Sequence, residues 1–67
     1  MTQHTRGYLC AVATLLRECP HSREQAVVLV KHVPPLSERE WYELEAYDRK
    51  SFEDAGLEIR ADKKEAS

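Results

Sequence analysis

Glycine is scarce in this chain, with two in 67 residues. Phosphate-cradling turns need two or three glycines at fixed close spacing, and Gly7 and Gly56 are too far apart to build one. Nucleotide chemistry of the P-loop or dinucleotide-binding kind is therefore excluded. Cysteine is equally scarce. On a single helix Cys10 and Cys19 would be separated by about 13 Å along the axis at 1.5 Å per residue, whereas a disulfide needs Cα atoms within about 7 Å. Both are expected as free thiols in a reducing cytoplasm, with an intermolecular bridge as the alternative. Long apolar runs are missing too. YLCAVATLL falls far short of the roughly 20 residues that cross a bilayer, and no basic segment leads it as in a signal peptide. No membrane insertion is expected.

A dense basic face is also lacking. Ten Lys and Arg stand against twelve Asp and Glu, for a net charge of -2, and the cations are scattered among acidic neighbours. A phosphate backbone draws a protein through clustered cations, so nucleic acid is not the partner expected by this criterion. Metal ligands are no better placed. His4, Cys10, Cys19, His21 and His32 show neither the C-x₂₋₄-C nor the H-x₃₋₅-H spacing of a structural zinc site. Cys19 and His21 straddle Pro20 without an orienting third group, so nucleophilic catalysis has no signature. The reading is of a non-enzyme with no metal and no cofactor.

What the chain does have is 42% hydrophobic and 33% charged residues, an ordinary globular balance rich in helix formers. A domain this short buries only about 60% of the surface its unfolded chain exposes. A partner subunit is one usual remedy, which leads to the expectation of a homodimer. The fold class expected is all-α, a compact three-helix domain over residues 1–60, with 61–67 as a flexible tail.

The first helix reads from Tyr8 to Cys19, with Thr5 as N-cap, residues 1–4 frayed and Pro20 as the stop. Tyr8, Val12, Leu15 and Cys19 recur at helical spacing, and Leu9 and Leu16 widen the stripe. The other side carries Cys10, Ala13, Thr14 and Arg17. These are mostly small and suit either a tolerant exposed face or a helix–helix dimer contact. Ser22 and Gln25 have capping-box spacing, and Ala26, Leu29, Val30 and Val33 then share a helical face. The β-branched run AVVLV leaves a strand open as the other option. Pro34 and Pro35 end the segment. Ser37 and Glu40 form a second capping box, from which the third helix runs to about Asp54 or Ala55, with Gly56 as its left-handed end.

That third helix, SEREWYELEAYDRKSF and beyond, holds the candidate partner-binding residues. Trp41, Leu44, Phe52 and Ala55 share a face, with Tyr47 on its edge, and the face suits a core. Asp48 interrupts it. Either the face is only partly covered and Asp48 sits at its wet margin, or the carboxylate pairs with Arg17, Arg23 or His32, or it meets a cation on a partner protein. Tyr42 points away among charges, beside Arg49, in the manner of an interface anchor. Trp41, Tyr42, Tyr47, Asp48 and Arg49 are accordingly the predicted contact set.

The leading expectation is a protein-binding module. A small dimeric helix-turn-helix-like DNA-binding regulator is the alternative, although its connector HVPPL lacks the tight glycine turn and its second helix opens with carboxylates. A subunit that folds only on its complex is a third. The apolar start RGYLCAVATLL and the acidic-aromatic SEREWYELEAYDRKSF after a proline break resemble small phage-encoded host-modulating proteins, of the anti-quorum-sensing and pilus-motor-inhibiting type. That resemblance implies a helical homodimer that binds and inhibits a host protein such as a transcriptional regulator or a motor ATPase, and the free thiols place it in the cytoplasm.

Overall fold

Helix α1 spans Gln3–Glu18 in a computed structural model that describes residues 1–57, 59 and 60. Its cap is Thr2 rather than Thr5: the Thr2 hydroxyl accepts from the Thr5 backbone N–H at 3.1 Å. The helix thus begins among residues expected to fray. It stops where Pro20 forbids the next turn, with Cys19 out of helical geometry. The buried positions are Leu9, Val12 and Ala13, with Tyr8 and Leu16 half-buried beside them. Cys19, placed on the apolar stripe by spacing alone, is exposed.

Helix α2 spans Arg23–Val30 and settles the helix-or-strand choice. Ala26 is fully buried, and Leu29, Val30 and Val33 pack against the core. The expected Ser22–Gln25 capping box does not form. The Ser22 hydroxyl donates instead to the Cys19 carbonyl at 2.6 Å and the Leu15 carbonyl at 3.3 Å, so it closes the end of α1. The Tyr8 hydroxyl donates to the Leu29 carbonyl at 2.7 Å and ties α1 to α2.

The expected third helix is two helices, α3 at Glu38–Glu43 and α4 at Ala46–Ala55, which makes four in the described residues rather than three. Leu44 and Glu45 between them are extended, with ψ of 154° and 150°. No glycine or proline marks the break. The Arg49 guanidinium donates to the carbonyls of Tyr42 and Leu44, the groups that a continuing helix would have paired. The Ser37–Glu40 capping box is present in both halves, at 3.2 and 3.0 Å, and bonding to Ser37 lowers the Glu40 pKa.

Gly56 ends α4 at φ 73°. The Leu57 N–H reaches the Phe52 carbonyl and the Gly56 N–H reaches the Glu53 carbonyl, both at 3.0 Å, in a Schellman closure. The chain then returns to the start of α3, where the Leu36 N–H donates to the Ile59 carbonyl at 2.8 Å. An isolated parallel bridge joins Leu36 to Arg60, and the described residues contain no strand. Leu9, Val12, Ala26, Leu36, Trp41, Leu44, Phe52 and Ile59 form the core with Ala13. Trp41 meets Phe52 with ring centroids 6.5 Å apart and planes tilted by 51°. Helix α1 packs most extensively on α4 and next on α2. The proposed tail, 61–67, lies outside the described residues.

The two glycines should respond oppositely to alanine. A Cβ on Gly7, inside α1, would meet nothing within 4 Å, so Gly7→Ala is expected to stabilise by about 0.5–1 kcal/mol. Gly56→Ala places a side chain at positive φ and is expected to destabilise by about 1–2 kcal/mol. Urea unfolding of the two variants reads both signs, and equal signs would contradict the assigned backbone.

Candidate functional site

The α1–α4 seam is polar at its centre. Asp48 sits in the first turn of α4, where the helix dipole favours a carboxylate. It is 1% exposed. Of the partners open to it from sequence, it takes Arg17, whose Nη1 donates to Asp48 Oδ1 at 3.0 Å. The same nitrogen donates to Ser51 Oγ at 3.0 Å and approaches the Tyr47 carbonyl at 3.4 Å, while Nη2 donates to Thr14 Oγ1 at 3.2 Å. Ser51 Oγ in turn donates to the Tyr47 carbonyl, and Thr14 Oγ1 donates to the Cys10 carbonyl. Among the described residues no buried side-chain nitrogen or oxygen lacks a partner.

This arrangement assigns the small face of α1. Arg17 and Cys10 both face Asp48, so Ala13, one turn from each, lies under α4 and is fully buried. Of the face suited by sequence to exposure or to a second copy, Ala13 is covered by the chain's own last helix, whereas Thr14 and Arg17 stay exposed at its edge. Its small side chains let that helix approach closely.

Three arginines lie over aromatic rings, with the guanidinium carbon about 5 Å from the ring centroid. Arg17 covers Tyr47 at 5.0 Å, Arg49 covers Tyr42 at 5.0 Å and Arg60 covers Trp41 at 4.9 Å. The two contacts on exposed tyrosines each contribute on the order of 0.5–1 kcal/mol. Tyr42 and Tyr47 are nevertheless 58% and 57% exposed. The guanidiniums hold the rings in place and leave much of their area to solvent.

The five predicted contact residues therefore divide. Tyr42 and Tyr47 are open and Arg49 is half-buried between its carbonyls and the Tyr42 ring. Trp41 and Asp48 are buried, the first in the core and the second against Arg17. Arg17 is the residue that the sequence reading placed only as one possible counter-ion, although it touches Asp48, Ser51, Thr14 and the Tyr47 ring. Its signal was its place on the small face of α1, one turn beyond Ala13. Among the described residues no three His, Cys, Asp or Glu side chains gather as a metal site, and no helix is long and apolar enough to cross a membrane.

Comparison with protein families, with curated proteins and with solved structures finds no match to this chain.

The seam also separates the two thiols. Cys19 is exposed and Cys10 half-buried. The Cys10 pKa is raised above its ordinary 9.0, first by a hydrogen bond to Asp48, then by burial and by the charge of that carboxylate. A raised value leaves less thiolate at any given pH and slows attack. With a thiol-reactive disulfide reagent at pH 8, Cys19 is expected to react first and Cys10 to lag. Asp48→Asn should narrow the gap by removing the negative charge. Equal rates in the parent chain would contradict the assignment.

Proposed function

We propose that this chain is a small non-enzymatic protein-binding module that inhibits or modulates a host protein, such as a transcriptional regulator or a motor ATPase. The observation that carries the reading is the pair of exposed tyrosines, each under an arginine, on the two helices that flank the Leu44–Glu45 break. Tyrosine and arginine are the side chains most concentrated at binding hot spots. Rings already held by a guanidinium lose less conformational freedom on docking. Tyr42, Tyr47 and Arg49 are the contact residues in this reading, while Trp41 and Asp48 shape the surface from beneath.

A phage origin, a cytoplasmic setting and a homodimer belong to the same proposal. The first rests on the resemblance of RGYLCAVATLL and SEREWYELEAYDRKSF, and the second on reading Cys10 and Cys19 as free thiols of a reducing compartment. The dimer rests on the short chain and on the outward Val28 of α2, which is 57% exposed. The helix-turn-helix alternative has less support, since α3 is six residues long and opens with Glu38 and Glu40.

Affinity capture from bacterial host lysate compares the parent chain with the Tyr42→Ala/Tyr47→Ala variant. Both tyrosines lie outside the core, so circular dichroism should be unchanged. The parent is expected to retain a discrete protein, and the variant to lose it by about tenfold or more, the scale of hot-spot side chains. Light scattering at micromolar concentration is expected to give twice the chain mass. Equal capture by both chains would overturn the tyrosine surface, and a monomer mass would overturn the dimer.

A further inference from the structure

A groove of about 370 Å³ runs between the end of α1, the start of α2 and the end of α4. Leu16, Pro20 and Ala55 line it with apolar surface, and Arg17, Arg23 and Asp54 supply its charges. Those charges are not balanced. Arg17 is engaged by Asp48 at 3.0 Å, and Asp54 lies 3.5 Å from Lys50. Arg23 gives its Nε–H to the Ala55 carbonyl at 2.6 Å. No carboxylate among the described residues pairs with its guanidinium.

The bond to Ala55 fixes the Arg23 guanidinium against the end of α4 and leaves its two terminal nitrogens as a fork. An arginine held in one orientation is prearranged for bidentate contact with a carboxylate. The adjoining Leu16, Pro20 and Ala55 surface suits the methylene stem that carries such a group, and a bare inorganic anion has no use for it. The groove is also continuous with the tyrosine surface, because Arg17 lines the groove and covers the Tyr47 ring.

We infer that this groove receives a glutamate or aspartate side chain of the partner protein, with its carboxylate on the Arg23 fork and its stem on Leu16, Pro20 and Ala55. The inference rests on the protein-binding reading for the source of that side chain. It adds a contact for an acidic side chain to the surface made by Tyr42, Tyr47 and Arg49.

The test is an NMR titration of the isolated, ¹⁵N-labelled chain at constant ionic strength. The probes are capped tetraglutamate, capped tetraglutamine and inorganic phosphate. Tetraglutamate is expected to shift the amides of Leu16, Arg23, Asp54 and Ala55, and tetraglutamine to leave them in place. Arg23→Gln should abolish the response. Asp54→Asn, at an exposed residue outside the core, should tighten tetraglutamate by roughly twofold to fivefold, the scale of one exposed charge. That variant keeps the test decisive if Arg23→Gln does not fold. Overturning results are the absence of localised shifts, equal shifts with tetraglutamine, phosphate binding as tightly as tetraglutamate (a free-anion site), or no gain in Asp54→Asn. A failed titration removes the groove and leaves capture through Tyr42 and Tyr47 standing, whereas equal capture by the tyrosine variant removes the tyrosines alone.

Discussion

A carboxylate that is 1% exposed must be met by a cation, and Arg17 meets Asp48 at 3.0 Å. The geometry limits the desolvation penalty, because the Arg17 side chain keeps 36% of its own exposure and Asp48 also sits at the positive end of α4. Much else follows from that pair. It sets where α4 lies along α1 and places Ala13 beneath it. It draws Ser51 and Thr14 into one network. It also orients Arg17 so that its guanidinium covers Tyr47 on one side and borders the α1–α2–α4 groove. One residue thus links the stability of the seam to the shape of the outer surface.

Arginine plays a similar joining part elsewhere. Arg49 satisfies carbonyls at the end of α3, Arg23 donates to the Ala55 carbonyl at the end of α4, and Arg60 covers Trp41 where the chain returns to Leu36. The core is small, with Phe52 and Leu9 its largest fully buried apolar side chains. Burial of each such side chain contributes about 1.5–3 kcal/mol, so helix ends left without partners would weigh heavily in a domain of this size. A long, planar, always-charged donor suits that need: its stem packs on apolar surface while its head reaches two or three acceptors.

The punctuation of the fold was legible in the sequence. Pro20 ends α1, the Ser37–Glu40 box opens α3, and Gly56 ends α4 in left-handed geometry. Each is a local backbone preference that tertiary structure has little reason to override. The break at Leu44 was not legible, because the residues there suit a helix and the acceptor groups are satisfied by Arg49 from the next helix. Ser22 shows the same limit. Its spacing to Gln25 matches a capping box, in which the hydroxyl would accept from the Gln25 N–H, yet the Ser22 backbone is not extended and its hydroxyl donates back to the Cys19 and Leu15 carbonyls.

The candidate surface was legible in part. The exposure of Tyr42 follows from helical phase in α3, whereas Arg49 reaches its ring from across the break at Leu44 and Glu45. Asp48 was visible as an anomaly on an apolar face, but three cations could have answered it, and only packing selects Arg17. Ala13 was misplaced for a related reason: a small residue beside polar neighbours reads the same whether the approaching helix comes from a partner or from the same chain.

The central claim, that the Arg17–Asp48 pair organises the α1–α4 seam, is tested most directly by a double-mutant cycle in urea. Arg17→Met, Asp48→Asn and the double variant are compared with the parent chain. A coupling energy of about 1–3 kcal/mol is predicted, less than for a fully buried pair because Arg17 remains partly solvated. A coupling below about 0.5 kcal/mol, the level of an ordinary surface ion pair, would contradict the account.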